Sequence, residues 1–394
     1  MIHFIQHGLR DMHSHFYGET LGFVQAAKEL KRDLQVWTHA RCEPQIVEAF
    51  KARAVFPLQT DGVVDSDPVS SELSSYIVGA AAFASTLGKF LTPDITADDW
   101  VYVAYASQNE VYAVASWMQT LSAEKRPRLA LFCHRPELKW SVDPHRETVS
   151  ANASFWRFAA RMLEQIGAKD RVQVFAPDLR LVEFLGWASG LKVSAAGIST
   201  PYFLTPAQAL SSPKRFDIGL IGEFRAERGS EIIPDLMIAL DRLRPGMRYV
   251  LQLTDSTEQE AVQKKLADQG FMGSLSAIAN NHLEPAEFAR LIAQVRLMVL
   301  PYHPQRYRMR SSGVLSECIA YATPCVVPSS TWLGDQLKDR FAAGEAFDGW
   351  TSDAVCSATV RAFDALDALT KTAEEKMLPW RQRNCARAML ERLA

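Results

Sequence analysis

The most informative stretch of this sequence runs from Pro301 to Pro328 and reads PYHPQRYRMRSSGVLSECIAYATPCVVP. It is typical of the end of a buried strand, a basic loop, a helix that begins at Ser-Ser-Gly, and a second buried strand. Arg308 and Arg310 come just before the helix, where free backbone N–H groups and the helix dipole favour anions. By itself the stretch is equally consistent with a capped helix beside two surface arginines. The predicted helix has an apolar stripe at helical spacing, formed by Val314, Leu315, Cys318, Ile319 and Ala322.

Composition indicates a globular protein with two domains. A chain of 394 residues is longer than a domain with a single hydrophobic core usually is. With 48% hydrophobic and 22% charged residues, the chain can bury large cores and is not of the disordered class. A net charge of −2 argues against a protein that binds nucleic acid duplexes, so no nucleic acid partner is expected.

The cysteines and the apolar segments bear on the compartment. The six cysteines are scattered without a CxxC pair, which favours a reducing compartment over a disulfide framework or a zinc site. The first residues, MIHFIQHGLRDMHSHF, lack the apolar segment of a signal peptide. The most apolar stretch, Leu73–Gly88, is shorter than the roughly 20 residues of a membrane helix. We expect a cytoplasmic protein, with peripheral association at the inner face of a membrane left open.

Strands and helices alternate in two blocks, which predicts an α/β fold with two parallel sheets covered on both faces. Between the blocks, Ser199–Phe216 contains three prolines and no convincing period, and we interpret it as the interdomain linker. The predicted domains are residues 1–205 and 206–375. A C-terminal helix over residues 376–394 could cross back to the first domain.

A second arginine-containing loop, Gly222-Glu223-Phe224-Arg225-Ala226-Glu227-Arg228-Gly229, lies between a predicted strand and a predicted helix. Ligands of doubly wound sheets bind beyond the carboxyl ends of the strands, where this loop lies. Guanidinium groups form charge-assisted, often bidentate hydrogen bonds with phosphate oxygens. Two arginines between glycines therefore suit a diphosphate, although a solvated charged turn is the commoner explanation of such a loop in isolation.

Together the two loops resemble the donor-binding domain of retaining glycosyltransferases with the GT-B fold, the large group usually called family 4 (group 1). The resemblance rests on motifs over Ile218–Leu333: a strand, G-x-x-x-x-x-R-G, a helix, and then LMVLPYHPQRYRMRSSGVLSECIAYATPCVVP. Over the first half it is architectural only. It implies two Rossmann-like, doubly wound parallel-sheet domains that face a cleft, with the acceptor side in the first and the nucleotide-sugar in the second.

The resemblance assigns roles to residues of the donor side. Arg225 and Arg228 would hold the diphosphate of a nucleotide-sugar, although Arg228 replaces the usual Lys and Glu223 replaces the family's other basic residue. Glu317 would bind the ribose hydroxyls. Met309 stands where the family often has a Glu that contacts the sugar, so the sugar is not specified. Further diphosphate contacts would come from Gly222, Ser311, Ser312, Gly313 and Val314. The sugar pocket would be lined by Tyr302 and by the loop from His303 to Arg310, with Arg308, Met309 and Arg310 as its named residues.

The first half is expected to supply the acceptor side. His134 is the candidate catalytic residue because it follows the predicted strand Arg128–Cys133, and similar enzymes often present a His at such a strand end. A strand-end histidine bonded to backbone is the structural alternative. His15, Tyr17 and Gly18 are predicted to form an acceptor-side loop after the first strand. No carboxylate–His spacing in HGLRDMHSH supports a metal site, so no metal is predicted.

The predicted function is transfer of a sugar from a nucleotide-diphosphate sugar, UDP- or GDP-linked, to a hydroxyl of a glycan, a lipid-linked glycan or a protein. The resemblance implies retention of configuration, no metal and no cofactor besides the nucleotide-sugar substrate. A GT-B-fold sugar-nucleotide epimerase and a non-catalytic nucleotide-sugar-binding partner remain alternatives. A Rossmann dehydrogenase is disfavoured because neither half has a GxGxxG after its first strand.

Overall fold

The chain forms two compact units. The computed structural model describes residues 1–13, 15–56, 70–134, 153–253, 255–279, 283–339 and 341–393. Unit 1 comprises Met1–Ser199 and Ala386–Ala394, and unit 2 comprises Thr200–Cys385. The chain therefore passes between the units twice, once within the predicted linker and once near its C-terminus.

Unit 1 is built on a seven-stranded parallel sheet of order β3-β2-β1-β4-β5-β6-β7. The strands are β1 (Ile2–Gln6), β2 (Leu34–His39), β3 (Arg53–Phe56), β4 (Trp100–Val103), β5 (Arg128–Phe132), β6 (Val172–Ala176) and β7 (Val193–Ala195). The helices are α1 (His15–Glu29), α2 (Pro44–Phe50), α3 (Ser70–Thr86, continued by a π-helical turn Leu87–Leu91), α4 (Gln108–Thr120), α5 (Ala153–Gln165) and α6 (Leu179–Ser189).

The strand order of unit 1 reverses between β1 and β4, so the loops after these strands flank a crevice at the carboxyl edge of the sheet. β1 is buried along its whole length, as expected for a strand covered on both faces. On one face Phe4 packs on Phe23 of α1 and on Tyr102 of β4, with ring centroids 4.4 and 5.5 Å apart. This aromatic contact fixes α1 against the centre of the sheet.

Unit 2 is built on a six-stranded parallel sheet of order β10-β9-β8-β11-β12-β13. The strands are β8 (Phe216–Leu220), β9 (Arg248–Leu253), β10 (Ser274–Ala279), β11 (Val295–Val299), β12 (Cys325–Pro328) and β13 (Gly344–Phe347). The helices are α7 (Pro206–Leu210), α8 (Ile233–Leu243), α9 (Ser256–Asp268), α10 (Pro285–Ala293), α11 (Gly313–Ala320), α12 (Trp332–Lys338), α13 (Ser352–Asp364) and α14 (Leu366–Arg383). Here the strand order reverses between β8 and β11.

The last helix, α15 (Ala386–Glu391), belongs to unit 1. Leu390 is fully buried in the core that also contains Phe23 of α1, and the Arg32 guanidinium donates a hydrogen bond to the Leu390 carbonyl at 2.7 Å. α14 and α15 are separated at Asn384 and Cys385, so residues 376–394 do not form one continuous helix.

Candidate functional site

The two loops that the sequence singles out meet beyond β8 and β11, where the strand order of unit 2 reverses. The backbone N–H of His303 donates to the carbonyl of Glu227 at 2.9 Å and ties one loop to the other. Gly229 has φ +90°, and a Cβ atom there would lie 2.5 Å from the carbonyl oxygen of Pro301. Only glycine allows this approach, which explains the last glycine of the Gly222–Gly229 loop.

Gly222 lies at the centre of the site. Its N–H donates to the side-chain oxygen of Gln252 at 2.9 Å, and its φ is +125°. A Cβ atom at Gly222 would lie 3.3 Å from Nη1 of Arg228 and 3.5 Å from both the Tyr302 hydroxyl and a methyl group of Val314. The fold therefore places three of the predicted donor-site residues, Arg228, Tyr302 and Val314, around this glycine.

Arg228 is positioned by two tyrosines. Its Nε donates to the Tyr307 hydroxyl at 3.2 Å, and its guanidinium carbon lies 5.8 Å from the centroid of the Tyr302 ring. The two tyrosine rings pack on each other with centroids 4.4 Å apart. Within the described residues no carboxylate lies at ion-pair distance from Arg228, and Glu223 interacts with its charge only from a greater distance.

Arg225 has a different environment. It forms ion pairs with Glu223 and, at 3.8 Å, with Glu227, and 46% of its side chain is exposed. These two carboxylates compensate its charge. Of the two arginines predicted to hold a diphosphate, Arg228 is therefore the one whose guanidinium is available for an anion.

Helix α11 begins beside Arg228 with its amino end toward the loops. Ser312 is its N-cap, and the Ser312 hydroxyl accepts a hydrogen bond from the N–H of Leu315 at 3.2 Å. The N–H groups of Gly313 and Val314 have no acceptor within the helix because they belong to its first turn. Gly313 is exposed and has open space where a Cβ would lie, whereas Ser311 is half-buried. The helix thus presents backbone donors to the crevice.

Glu317 is the acidic residue of this helix and is half-buried. Its Oε2 is shielded from solvent and has no hydrogen-bond partner among the described residues. Burial raises the pKa of its carboxyl group to about 8. A carboxyl group that lacks a protein partner at a ligand-binding edge can accept hydrogen bonds from ligand hydroxyls.

The remaining residues of the predicted sugar pocket have different environments. Met309 is buried and Arg308 is exposed. Arg310 is half-buried, and its guanidinium carbon lies 5.1 Å from the centroid of the Tyr307 ring. Tyr302 is buried, and burial raises the pKa of its hydroxyl group. A small pocket beside these residues is lined by Gly222, Glu223, Arg225, Arg228, Pro301 and Tyr302.

In unit 1, His134 follows β5 and its Nε2 lies 3.2 Å from the carbonyl of Ala104. Since a carbonyl only accepts, Nε2 carries a proton in this arrangement. The ring stacks on Tyr105, with centroids 4.8 Å apart, and the centroid of the His15 ring lies 6.3 Å from that of Tyr105. His15 and His134 thus belong to one aromatic cluster at the carboxyl edge of the sheet.

The prediction of an acceptor-side loop at His15, Tyr17 and Gly18 is wrong as to secondary structure, because α1 already begins at His15. Packing overrides the helix-weakening effect of Gly18: Phe16 is buried against Tyr105 at 5.7 Å. Tyr17 packs on Phe50, and Gly18 is buried, so only His15 of the three contacts the His134 cluster.

Two residues of these clusters, Tyr105 and Gln252, were not predicted from the sequence as site residues, and Tyr307 was predicted only as part of the loop from His303 to Arg310. Tyr307 alternates with arginines in Gln305–Arg310, which is a usable signal, whereas nothing in the sequence marks Gln252. Among the described residues no group of three His, Cys, Asp or Glu side chains is placed to hold a metal ion. In the same part of the chain, no helix combines the length and apolar character needed to cross a membrane.

Similar structures identify the fold. HepE of Anabaena in complex with UDP aligns with 100% of this chain and 97% of its own, at 13% identity and a TM-score of 0.61. WaaG, a glycosyltransferase of lipopolysaccharide biosynthesis, aligns with 100% of this chain and 98% of its own, at 11% identity and a TM-score of 0.57. The catalytic domain of starch synthase IV from Arabidopsis thaliana, bound to ADP and acarbose, covers 95% of this chain and 94% of its own, at 11% identity and a TM-score of 0.59.

No protein-family model matches the sequence, and no curated protein matches it either. The full-length structural likeness, together with two parallel-sheet α/β units of seven and six strands, shows the GT-B fold. The fold class predicted from the sequence is confirmed.

Proposed function

We propose that this protein is a glycosyltransferase that uses a nucleotide-diphosphate sugar as donor and binds it in unit 2. The observation that carries the proposal is the convergence of the Arg228 guanidinium, which has no ion-pair partner among the described residues, with the amino end of α11 at the β8–β11 crevice. HepE and starch synthase IV, which share the fold, have structures with UDP and with ADP. A nucleoside diphosphate is the ligand class that these groups suit best.

The proposed chemistry follows from where charge develops. Breaking the bond between sugar and phosphate places negative charge on the leaving diphosphate, and prearranged donors at that position lower the barrier most. Arg228 and the N–H groups of Ser312, Gly313 and Val314 would supply those donors without a metal. Glu317 would accept hydrogen bonds from the ribose hydroxyls, which favour its carboxylate form.

We assign the acceptor side to unit 1, with His134 as the catalytic residue that hydrogen-bonds the transferred sugar. The acceptor is a hydroxyl group of a glycan, a lipid-linked glycan or a protein, and the configuration at the anomeric carbon is retained. The donor is UDP- or GDP-linked, and the reaction takes place in the cytoplasm or at the inner face of a membrane. These finer statements extend the proposal beyond the GT-B fold.

The first experiment is a thermal-shift panel with UDP, GDP, ADP and TDP. One of them should raise the melting temperature, because a ligand at about 100 times its Kd stabilises a protein by about 2.7 kcal/mol. If none of the four shifts the transition, the proposal is wrong. The base that gives the largest shift then selects the sugar nucleotides for the second experiment.

The second experiment measures nucleotide release from those sugar nucleotides with and without candidate acceptors. A glycosyltransferase releases nucleotide faster when the acceptor is present. An epimerase would change the sugar without releasing nucleotide, and a non-catalytic binding partner would bind the donor and leave it intact. His134→Ala should lower the transfer rate by about 10²–10³-fold, the usual cost of losing one hydrogen-bond donor to the transition state, and leave nucleotide affinity unchanged.

Arg228 provides a direct test of the diphosphate site. We predict that Arg228→Ala weakens binding of the preferred nucleoside diphosphate by about 10- to 100-fold, since hydrogen bonds to charged groups contribute roughly 1.5–3 kcal/mol. Binding of the parent nucleoside should change little. Isothermal titration calorimetry with both ligands decides the matter, because an equal loss for both would place Arg228 away from the phosphates.

A further inference from the structure

The arginines of the two donor-side loops differ in how their charges are compensated. Arg225 is ion-paired with Glu223 and Glu227. Arg228 and Arg310 have no carboxylate at ion-pair distance among the described residues. Both are half-buried, so each would gain from an anionic ligand that replaces lost solvent.

Tyr307 joins these two arginines. It is 2% exposed, and its hydroxyl accepts a hydrogen bond from Nε of Arg228 at 3.2 Å. The guanidinium carbon of Arg310 lies over its ring, 5.1 Å from the centroid. The Tyr302 ring packs on it at 4.4 Å. Tyr307 is itself held by its backbone, because its N–H donates to the carbonyl of His303 at 3.1 Å. One buried side chain therefore sets the position of two cations.

In this arrangement the guanidinium N–H groups of both arginines remain available to donate hydrogen bonds to a ligand. A guanidinium stacked on an aromatic face keeps its N–H groups in its own plane, where they can reach phosphate oxygens in bidentate fashion. Arg228 uses only Nε for Tyr307, and its Nη1 lies near Gly222 at the crevice. Arg310 directly precedes Ser311 and the N-cap Ser312, so its backbone leads into the anion-favouring end of α11.

We propose that Arg310 is the second cation of the diphosphate site, that Tyr307 positions it together with Arg228, and that Arg225, which also lines the pocket, contributes little to phosphate binding because Glu223 and Glu227 compensate its charge. The inference rests on the proposed function and specifies its donor side. Two guanidinium groups match the two negative charges of a nucleotide-diphosphate sugar. Arg310, which the resemblance placed in the sugar pocket, would then contact the phosphates. It would take the role of the family's second basic residue, whose usual position in the Gly222–Gly229 loop is occupied by Glu223.

The test compares Arg310→Ala with Arg225→Ala. Each variant removes one arginine, the first from the loop before α11 and the second from the Gly222–Gly229 loop. The probes are UDP, UMP and uridine, or the corresponding series of whichever base gives the largest thermal shift. Arg310→Ala should weaken UDP binding about 10-fold or more and leave uridine binding within about twofold. Arg225→Ala should stay within about twofold for all three probes, because its charge is already compensated.

The salt dependence provides a readout that a purely structural role of Arg310 would not change. One cation fewer at the phosphates makes UDP affinity less sensitive to salt, so the slope against salt concentration should be shallower for Arg310→Ala than for wild type. Tyr307→Phe keeps the ring and removes the hydroxyl acceptor of Arg228. It should weaken UDP binding severalfold and leave the uridine affinity unchanged.

The outcomes separate this inference from the proposed function. If wild type binds UDP and Arg228→Ala weakens that binding while Arg310→Ala does not, Arg310 is not a phosphate ligand and only this inference is overturned. A larger loss in Arg225→Ala than in Arg310→Ala overturns it as well. If Arg310→Ala lowers the melting temperature of unit 2 strongly, Arg310→Gln replaces it with the same expected loss, and unchanged UDP affinity in that variant refutes the assignment.

Discussion

Two buried carboxyl groups in this protein have similar acidities and different surroundings. Burial raises the pKa of Glu19 and of Glu317 to about 8. Oε2 of Glu19 accepts a hydrogen bond from the side-chain amide of Gln6 at 2.8 Å, so this group is satisfied inside unit 1. Oε2 of Glu317 has no such partner among the described residues. A buried acceptor without a donor costs stability, and a ligand that supplies the donor recovers it.

We predict that Glu317 makes the protein less stable as pH rises and that Glu317→Gln removes this dependence. The folded-state pKa of about 8 lies above the ordinary value of 4.5, so the folded state binds the extra proton between these values. The stabilisation is complete below pH 4.5 and is lost as pH rises through 8, at about 1.4 kcal/mol per pKa unit. Melting temperatures of wild type and Glu317→Gln between pH 5.5 and 8.5 should diverge, with wild type falling further.

Saturating nucleoside diphosphate provides the control. Ribose hydroxyls that donate to the Glu317 carboxylate favour its charged form, so the ligand should reduce the loss of wild-type stability at high pH. A pH dependence that is the same with and without ligand would show that Glu317 does not contact the ribose. Parallel curves for wild type and Glu317→Gln would show that Glu317 does not titrate in this range.

Among the elements, α11 and its flanking strands are the ones that the sequence predicts best. The serine cap, the apolar stripe and the two buried strands are local signals, and the structure has Ser312 as N-cap with β11 and β12 on either side. Two other strands, β3 and β13, lack such local signals. β3 and β13 have four residues each, and their pairing with β2 and β12 comes from the sheet rather than from a distinctive apolar run.

The same reasoning applies within the site. Gly222, Gly229 and Arg228 could be predicted because a glycine-bounded arginine loop after a strand has a direct chemical meaning. The compensation of Arg225 by Glu223 and Glu227, and the joint positioning of Arg228 and Arg310 by Tyr307, are tertiary facts. The sequence shows which residues are charged, but it does not show which of these residues form ion pairs with each other in the folded protein.

For α11 we predict that Ser312→Ala lowers the free energy of unfolding of unit 2 by about 0.5–2 kcal/mol, the usual effect of losing an N-cap side chain. The Ser312 hydroxyl accepts the N–H of Leu315, and alanine leaves that donor without its acceptor. Urea unfolding measures the change. Ser311→Ala is the matched control and should remain within about 0.5 kcal/mol of wild type. Equal losses in both variants would contradict a specific cap at Ser312.

At the scale of the whole molecule, the chain divides between its units at Ser199–Thr200 and again at Cys385–Ala386. The first boundary falls inside the predicted linker, and α7, which begins at the predicted start of the second domain, belongs to unit 2. Near the C-terminus, the Asn384 carbonyl accepts hydrogen bonds from the N–H of Thr200, at 3.3 Å, and from the Tyr202 hydroxyl, at 2.6 Å. The two passages of the chain are thus bonded together on the unit 2 side, a pairing of residues too distant in sequence for local patterns to predict.

The placement of α15 in unit 1 leads to the last prediction. Leu390 is 0% exposed and lies in the core with Phe23 of α1, so Leu390→Ala should lower the free energy of unfolding of unit 1 by about 2–5 kcal/mol. Hydrogen exchange should become faster in α1 and β2 and stay unchanged in α8 and β9. Leu378→Ala on α14, where the side chain is 51% exposed, is the control and should leave both units within about 0.5 kcal/mol of wild type. Loss of protection in α8 and β9 instead would show that α15 stabilises unit 2, contrary to its packing on α1.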